Sequence, residues 1–161
     1  GDVYKRQKIL CVIIKTEVRT GVNMAIITDR FSVNTKGFTD IVDITSQVVE
    51  LTKKHGIRNA NAHIYVIGST ASITTLEFEP GLIRDLPEAL EKFAPVNKEY
   101  YHDQTWQDGN GYAHLRSSLI GTSENIPIVD GTPFLGTWQQ IVLVDFDNKP
   151  RTRTILVQFL Y

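Results

Sequence analysis

Apolar and polar positions alternate through the first third of the chain. From Ile9 to Val42 β-branched and aromatic residues recur, broken by turn signals at Thr20-Gly21, Thr28-Asp29 and Lys36-Gly37, which predicts strands near 9–16, 22–28 and 31–42. The spacing changes after Val42. Thr45 is placed to N-cap a helix, Ile44 to staple onto Val49, and Val48, Val49 and Leu51 form its apolar side. Lys53 and Lys54 suit the negative helix C-terminus, and Gly56 suits a left-handed cap.

Residues 62–67 and 72–78 read as two further strands around the small, polar Gly68-Ser69-Thr70-Ala71. A second helical region runs from Pro80 to Phe93. Pro87 predicts a kink or two short helices there, with Asp85 capping the second and Glu88 reaching back. Residues 95–111 hold few aliphatic side chains and read as a long loop, a kind of segment that in compact domains usually carries function. Positions 112, 115 and 119 then follow a helical period. Asp108 or Asn110 is available as cap, Gly121 as terminator, and His114 falls on the first turn. The remainder reads as strands: 125–129, then 138–146 and 152–161 as a hairpin across Asp147 to Arg151. Because Ile141 and Leu143 alternate with Val142 and Val144, both faces of that pair should be covered. The class is α+β.

Composition narrows the picture. A chain of 161 residues, 42% hydrophobic and 22% charged, fits one domain with a real core. The first seven residues read as a translated sequencing-adapter end, which leaves 8–161 as the expected domain. A net charge of −1 gives no electrostatic footprint for nucleic acid, so a small partner is expected. The lone Cys11 lies in an apolar run and reads as core. No stretch approaches the roughly 20 apolar residues of a membrane span, and the cytoplasm is the expected location.

The candidate chemistry lies between Ser69 and Trp138. His102 and His114 stand beside Asp103, Asp108 and Asn110, a set that suits proton transfer near neutral pH or a divalent metal. Their spacing matches no standard zinc pattern. The alternative is loop pinning, with Asp and Asn as caps and His114 bonded to backbone. A free helix N-terminus near His114, with the Ser69 and Thr70 hydroxyls, suits a phosphate, although Gly-Ser-Thr between strands also makes a plain turn. Arg151 and Arg153 offer charge for a diphosphate or ion pairs with Asp145 and Asp147. Glu77 reads either as an acid lining the same cavity or as a helix-dipole partner, and Glu79 as the latter. Trp138 reads as core or as an aromatic wall for a heterocycle.

From about Val42 to Tyr161 the chain resembles the YjbQ-like family, also named secondary thiamine-phosphate synthases. The match runs through Asp43-Ile44-Thr45, Ser69-Thr70-Ala71, Glu77, Asp85, Tyr101-His102-Asp103, Asp108-Gly109-Asn110 and Ala113-His114-Leu115. It continues through Gly121-Thr122-Ser123, Pro127, Leu135-Gly136-Thr137-Trp138-Gln139 and Arg151-Thr152-Arg153. Many members carry His-Thr-Thr-Ala where this chain has Gly68-Ser69-Thr70-Ala71, so the resemblance carries no histidine to position 68. It implies two packed, mostly antiparallel sheets with two to three short helices, and a homotrimer. It also implies a weak thiamine-phosphate synthase activity, a transferase joining a pyrimidine diphosphate to a thiazole phosphate with loss of pyrophosphate.

On that reading His114, its helix N-terminus, Ser69, Thr70 and Asn110 hold phosphate, with His102 and Asp108 as proton or metal partners. Arg151 or Arg153 neutralises the leaving group, and the cofactor, if any, is a divalent metal, Mg or Zn. The alternative is a non-catalytic trimeric module binding a small anionic metabolite or a divalent metal.

Overall fold

The computed structural model describes residues 24–161, so the strand expected at 9–16 and Cys11 lie outside the described residues. Eight strands and four helices follow in the order β1 (Ile26–Thr35), β2 (Asp40–Asp43), α1 (Thr45–Lys54), β3 (Ala60–Val66), β4 (Ala71–Leu76), α2 (Pro80–Phe93), α3 (Tyr101–Trp106), α4 (Gly111–Ile120), β5 (Ser123–Val129), β6 (Thr132–Pro133), β7 (Gln140–Asp145) and β8 (Arg151–Leu160). They build a five-stranded sheet in the order β1-β8-β3-β5-β6 and a three-stranded sheet in the order β2-β7-β4, with every pairing antiparallel. The α+β class and the two packed sheets are as expected.

Alternation along β7 explains the layering. Ile141 and Leu143 join Ile64, Ile73, Ile155, Val157 and Phe159 in the core between the sheets. Val142 and Val144 point the other way, into a second core formed with Leu90 of α2 and with Tyr112 and Ala113 of α4. An apolar run buried on both faces therefore sits at the centre of three layers.

Several local expectations are corrected. No turn falls at Thr28-Asp29: all ten residues of β1 pair in register with β8, and Asp29 is tied to Lys54 and His55 instead of starting a turn. The strand expected at 31–42 breaks at Gly37, Phe38 and Thr39, all left-handed (φ 76°, 55° and 65°), where the chain crosses between sheets. A β-branched residue resists that conformation. It is held there by Phe38 N–H donating to Asp147 O (2.7 Å) and by Arg116 donating to Thr39 Oγ1 (2.9 Å).

Thr45 does not cap α1. Asp43 Oδ1 accepts from Thr45 N (2.8 Å), while Thr45 Oγ1 accepts from Ile141 N (2.9 Å) and so ties the helix to β7. Val48, Leu51 and Thr52, rather than Val49, are its buried residues. α2 runs unbroken through Pro87, and Glu79, not Asp85, caps it, accepting from Gly81 N and Leu82 N. The capping carboxylate fixes the helix start six residues earlier than Asp85 would, and a single proline removes only one backbone bond.

The segment 95–111 is not all loop, since it contains α3. The expected hairpin of the last two strands does not form either, because β7 and β8 belong to different sheets and residues 146–150 carry the chain across. The reason is electrostatic as well as topological. Arg153 on β8 reaches over to Asp145 on β7 with Nε at 2.7 Å and Nη2 at 2.5 Å, clamping the two sheets at this corner.

Candidate functional site

The loop and helices between residues 100 and 120 position the histidines. Asp103 Oδ1 accepts from Gly111 N at 2.9 Å, so a side chain of α3 satisfies a free N–H at the start of α4. The two helices touch closely, and a Cβ on Gly111 would lie 2.5 Å from that of Tyr100, an approach only glycine permits. Between them Gln107 and Gly109 are left-handed and reverse the chain around Asp108. Asn148, on the crossing segment, donates its amide to Asp108 O (2.7 Å) and anchors this turn to the sheets.

The result brings His102, Asp108 and His114 together, with one ligand atom from each lying within 4.8 Å of the others. The imidazole centroids are 4.1 Å apart with planes tilted by 38°, and His102 Nε2 is 3.6 Å from Asp108 Oδ1. Both histidines are half-buried and Asp108 is exposed. Burial, and then the neighbouring His102, lower the pKa of His114 below its ordinary value against the opposing pull of Asp108, Asp147 and Asp103. A neutral imidazole at physiological pH is the form that ligates metals. Tetrahedral zinc with bonds of about 2.0–2.2 Å needs donors roughly 3.3 Å apart, a closure of up to about 1.5 Å from the observed 4.8 Å spread.

Beneath this cluster lies a buried ionic network. Asn110 is the link: its amide nitrogen reaches Asp147 Oδ1 at 3.4 Å in one orientation and both Asp108 carboxylate oxygens at 3.1 and 3.2 Å in the other. We favour the second, because Asp147 already accepts from Arg151 Nε (2.6 Å), Asn148 N (2.8 Å) and Thr70 Oγ1 (3.3 Å). Burial pushes the Asp147 carboxyl up, but the Arg151 guanidinium and the Asn148 N–H outweigh it and hold the pKa below the ordinary carboxylate value. Asp145 accepts from Arg153, Thr35 Oγ1 (2.5 Å) and Asp147 N (3.0 Å), and Arg153 also donates to Thr70 Oγ1 (2.8 Å).

The sequence candidates thus fall into three groups. His102, Asp108 and His114 form the surface cluster. Asn110, Thr70, Arg151 and Arg153 belong to the network below it, with Ser69 exposed beside Thr70. Glu77 and Trp138 lie together elsewhere, in an open recess shared with Thr75, Leu76 and the turn at residues 136–139. Trp138 is 69% exposed, which rules out its reading as core, and Glu77 does not share a cavity with the histidines. Asn148 and Thr35 carried no sequence signal, Asn148 because its segment reads as an ordinary turn and Thr35 because it reads as a strand residue.

The profile of the UPF0047 protein YjbQ-like family matches residues 29–161. This chain belongs to that family. A UPF0047 protein from Methanothermobacter thermautotrophicus is 35% identical over 140 residues, covering 87% of this chain and 96% of that protein. One from Archaeoglobus fulgidus is 38% identical over 121 residues, covering 75% and 91%. Among solved structures, a YbjQ-like protein of unknown function from Sulfolobus solfataricus P2 is similar with a TM-score of 0.79 at 34% identity, covering 86% of this chain and 99% of its own. The family match spans all three residue groups. No helix among the described residues is long and apolar enough to cross a membrane.

Proposed function

We propose that this YjbQ-like protein binds a divalent cation through His102, Asp108 and His114 and uses it to hold a small phosphorylated metabolite. The observation that carries this is the convergence of two imidazoles and a carboxylate within 4.8 Å, from three chain segments. Two nitrogen donors favour zinc or a similar transition metal over magnesium, which prefers an all-oxygen shell. A bound cation would supply the positive charge that a phosphate oxygen needs. Asn110 and Asn148 would keep Asp108 oriented, and the low pKa of His114 would keep it unprotonated. The finer reading is transfer of a pyrimidine diphosphate to a thiazole phosphate, a reaction in which stabilising the departing pyrophosphate matters most. The cytoplasm and a homotrimer around this site remain part of the proposal.

A non-catalytic binding role has one observation in its favour. Arg153 is buried against Asp145 and Arg151 is paired through Nε with Asp147, so both guanidinium charges are already offset by carboxylates. Calorimetry of metal-free protein with Zn²⁺ separates the outcomes. One equivalent per chain is expected for the wild type and none for the His102→Ala, His114→Ala pair, and equal uptake by both proteins would sink the metal site. Formation of thiamine phosphate that depends on both metal and His114 would then select the enzyme, and metal-dependent phosphate binding without turnover the module.

A further inference from the structure

We infer that the recess between Glu77 and Trp138 is a second binding site, one that takes a small organic cation with an apolar body. It shares no lining residue with the histidine cluster and stands independently of the metal proposal. It is a shallow, open recess, so a ligand there would lie against the Trp138 ring and stay in contact with solvent. Thr75 and Leu76 also line a separate, neighbouring apolar slot of about 170 Å³ formed with Leu82, Leu86 and Ile120.

Both walls are fixed in advance. Trp138 sits in a turn closed by Gln139 N donating to Gly136 O (3.0 Å) and by Gly136 N donating to Gln139 Oε1 (3.0 Å). Gln139 Nε2 donates to Thr75 Oγ1 (2.8 Å), tying that turn to the end of β4. On the other side Phe78 N donates to Gln140 Oε1 (2.9 Å), which pins the backbone next to Glu77. A tryptophan 69% exposed on a rigid turn keeps its ring face in water at a continuing hydrophobic cost. The ring face is thereby open to a ligand beside Glu77.

The charge pattern selects the ligand. Among the described residues the Glu77 side chain has no hydrogen-bond or ion-pair partner, although the neighbouring Glu79 is fully used as the α2 cap. No lysine or arginine lines the recess, so its one formal charge is negative. An anion would be repelled there, and a metal ion would find a single carboxylate. An aromatic face beside a free carboxylate, with an apolar slot next to it, matches a cation whose charge is carried by an alkylated nitrogen.

The test uses choline and N-methylpyridinium as probes, with 3,3-dimethylbutan-1-ol as the neutral isostere of choline, by calorimetry and tryptophan fluorescence on EDTA-treated protein. At least one cation should bind saturably at one per chain. Glu77→Gln and Trp138→Leu should each weaken it tenfold or more with unchanged circular dichroism, and the neutral alcohol should bind at least tenfold more weakly. The inference is overturned if neither cation saturates, if the alcohol matches choline, or if either variant keeps wild-type affinity. Both substitutions are at exposed positions, so loss of fold does not confuse the reading.

Discussion

Two polar clusters adjoin one another in this molecule and differ in how completely their atoms are partnered. In the buried one Asp145 accepts from Arg153 twice, from Thr35 and from a backbone N–H, and Asp147 is bonded as densely. In the half-exposed one His102, Asp108 and His114 face one another with no hydrogen bond between them shorter than the 3.6 Å contact. A buried charge must be partnered for the fold to stand, so saturation marks a structural role. Two imidazoles brought together with no hydrogen-bond partner among the described residues have no such explanation, and a ligand held between them would provide one. The same criterion sets Glu77 apart from Glu79, two residues away.

The sharpest way to break this contrast is to remove one member from each cluster. Asp145→Ala leaves Arg153 buried without its carboxylate and should destabilise the fold by about 3–5 kcal/mol in denaturant unfolding. His114→Ala should change stability by only about 1 kcal/mol or less, yet lower zinc affinity on the order of 100-fold. If His114→Ala unfolds as readily as Asp145→Ala, the histidines are structural and the contrast fails. A smaller effect is expected for Asn148→Ala, which removes the 2.7 Å bond to Asp108 O without touching a ligand. About tenfold weaker zinc binding, with near-normal stability, would identify Asn148 as a positioning residue. Unchanged affinity would show that Asn110 alone orients Asp108.

How much of this was legible in the sequence depends on the range of the interaction. His114 at the start of a helix could be read from the spacing of 112, 115 and 119, because helix period and capping are local. The apolar β7 was legible for the same reason, its alternation requiring cover on both sides. The separation of β7 from β8 was not. A five-residue polar link serves a hairpin or a crossing equally well, and the choice is made by Arg153 finding Asp145 and by the left-handed turn packed against Asp147. The site behaved likewise. Its residue types were evident, but the sequence grouped Glu77 and Trp138 with the histidines, and only the fold separates them.

The smallest predicted effect concerns pH and distinguishes the clusters by where they respond. His114 has a lowered pKa in the folded protein, so the unfolded chain takes up the proton first, near the ordinary value of about 6.5. Its contribution to stability is therefore present above that pH and is lost as pH falls from there through the folded value. Asp147 also has a lowered pKa, but its unfolded reference is 3.8. Its contribution is full above that point and declines only in stronger acid. Urea unfolding of metal-free protein across pH should thus show two separate descents. His114→Ala should flatten the first and leave the second, because Asp147, with its pKa held below 3.8, responds only in stronger acid. A descent below pH 6.5 that survives in His114→Ala would place its source outside His114, and the lowered pKa of that residue would then not separate the two clusters.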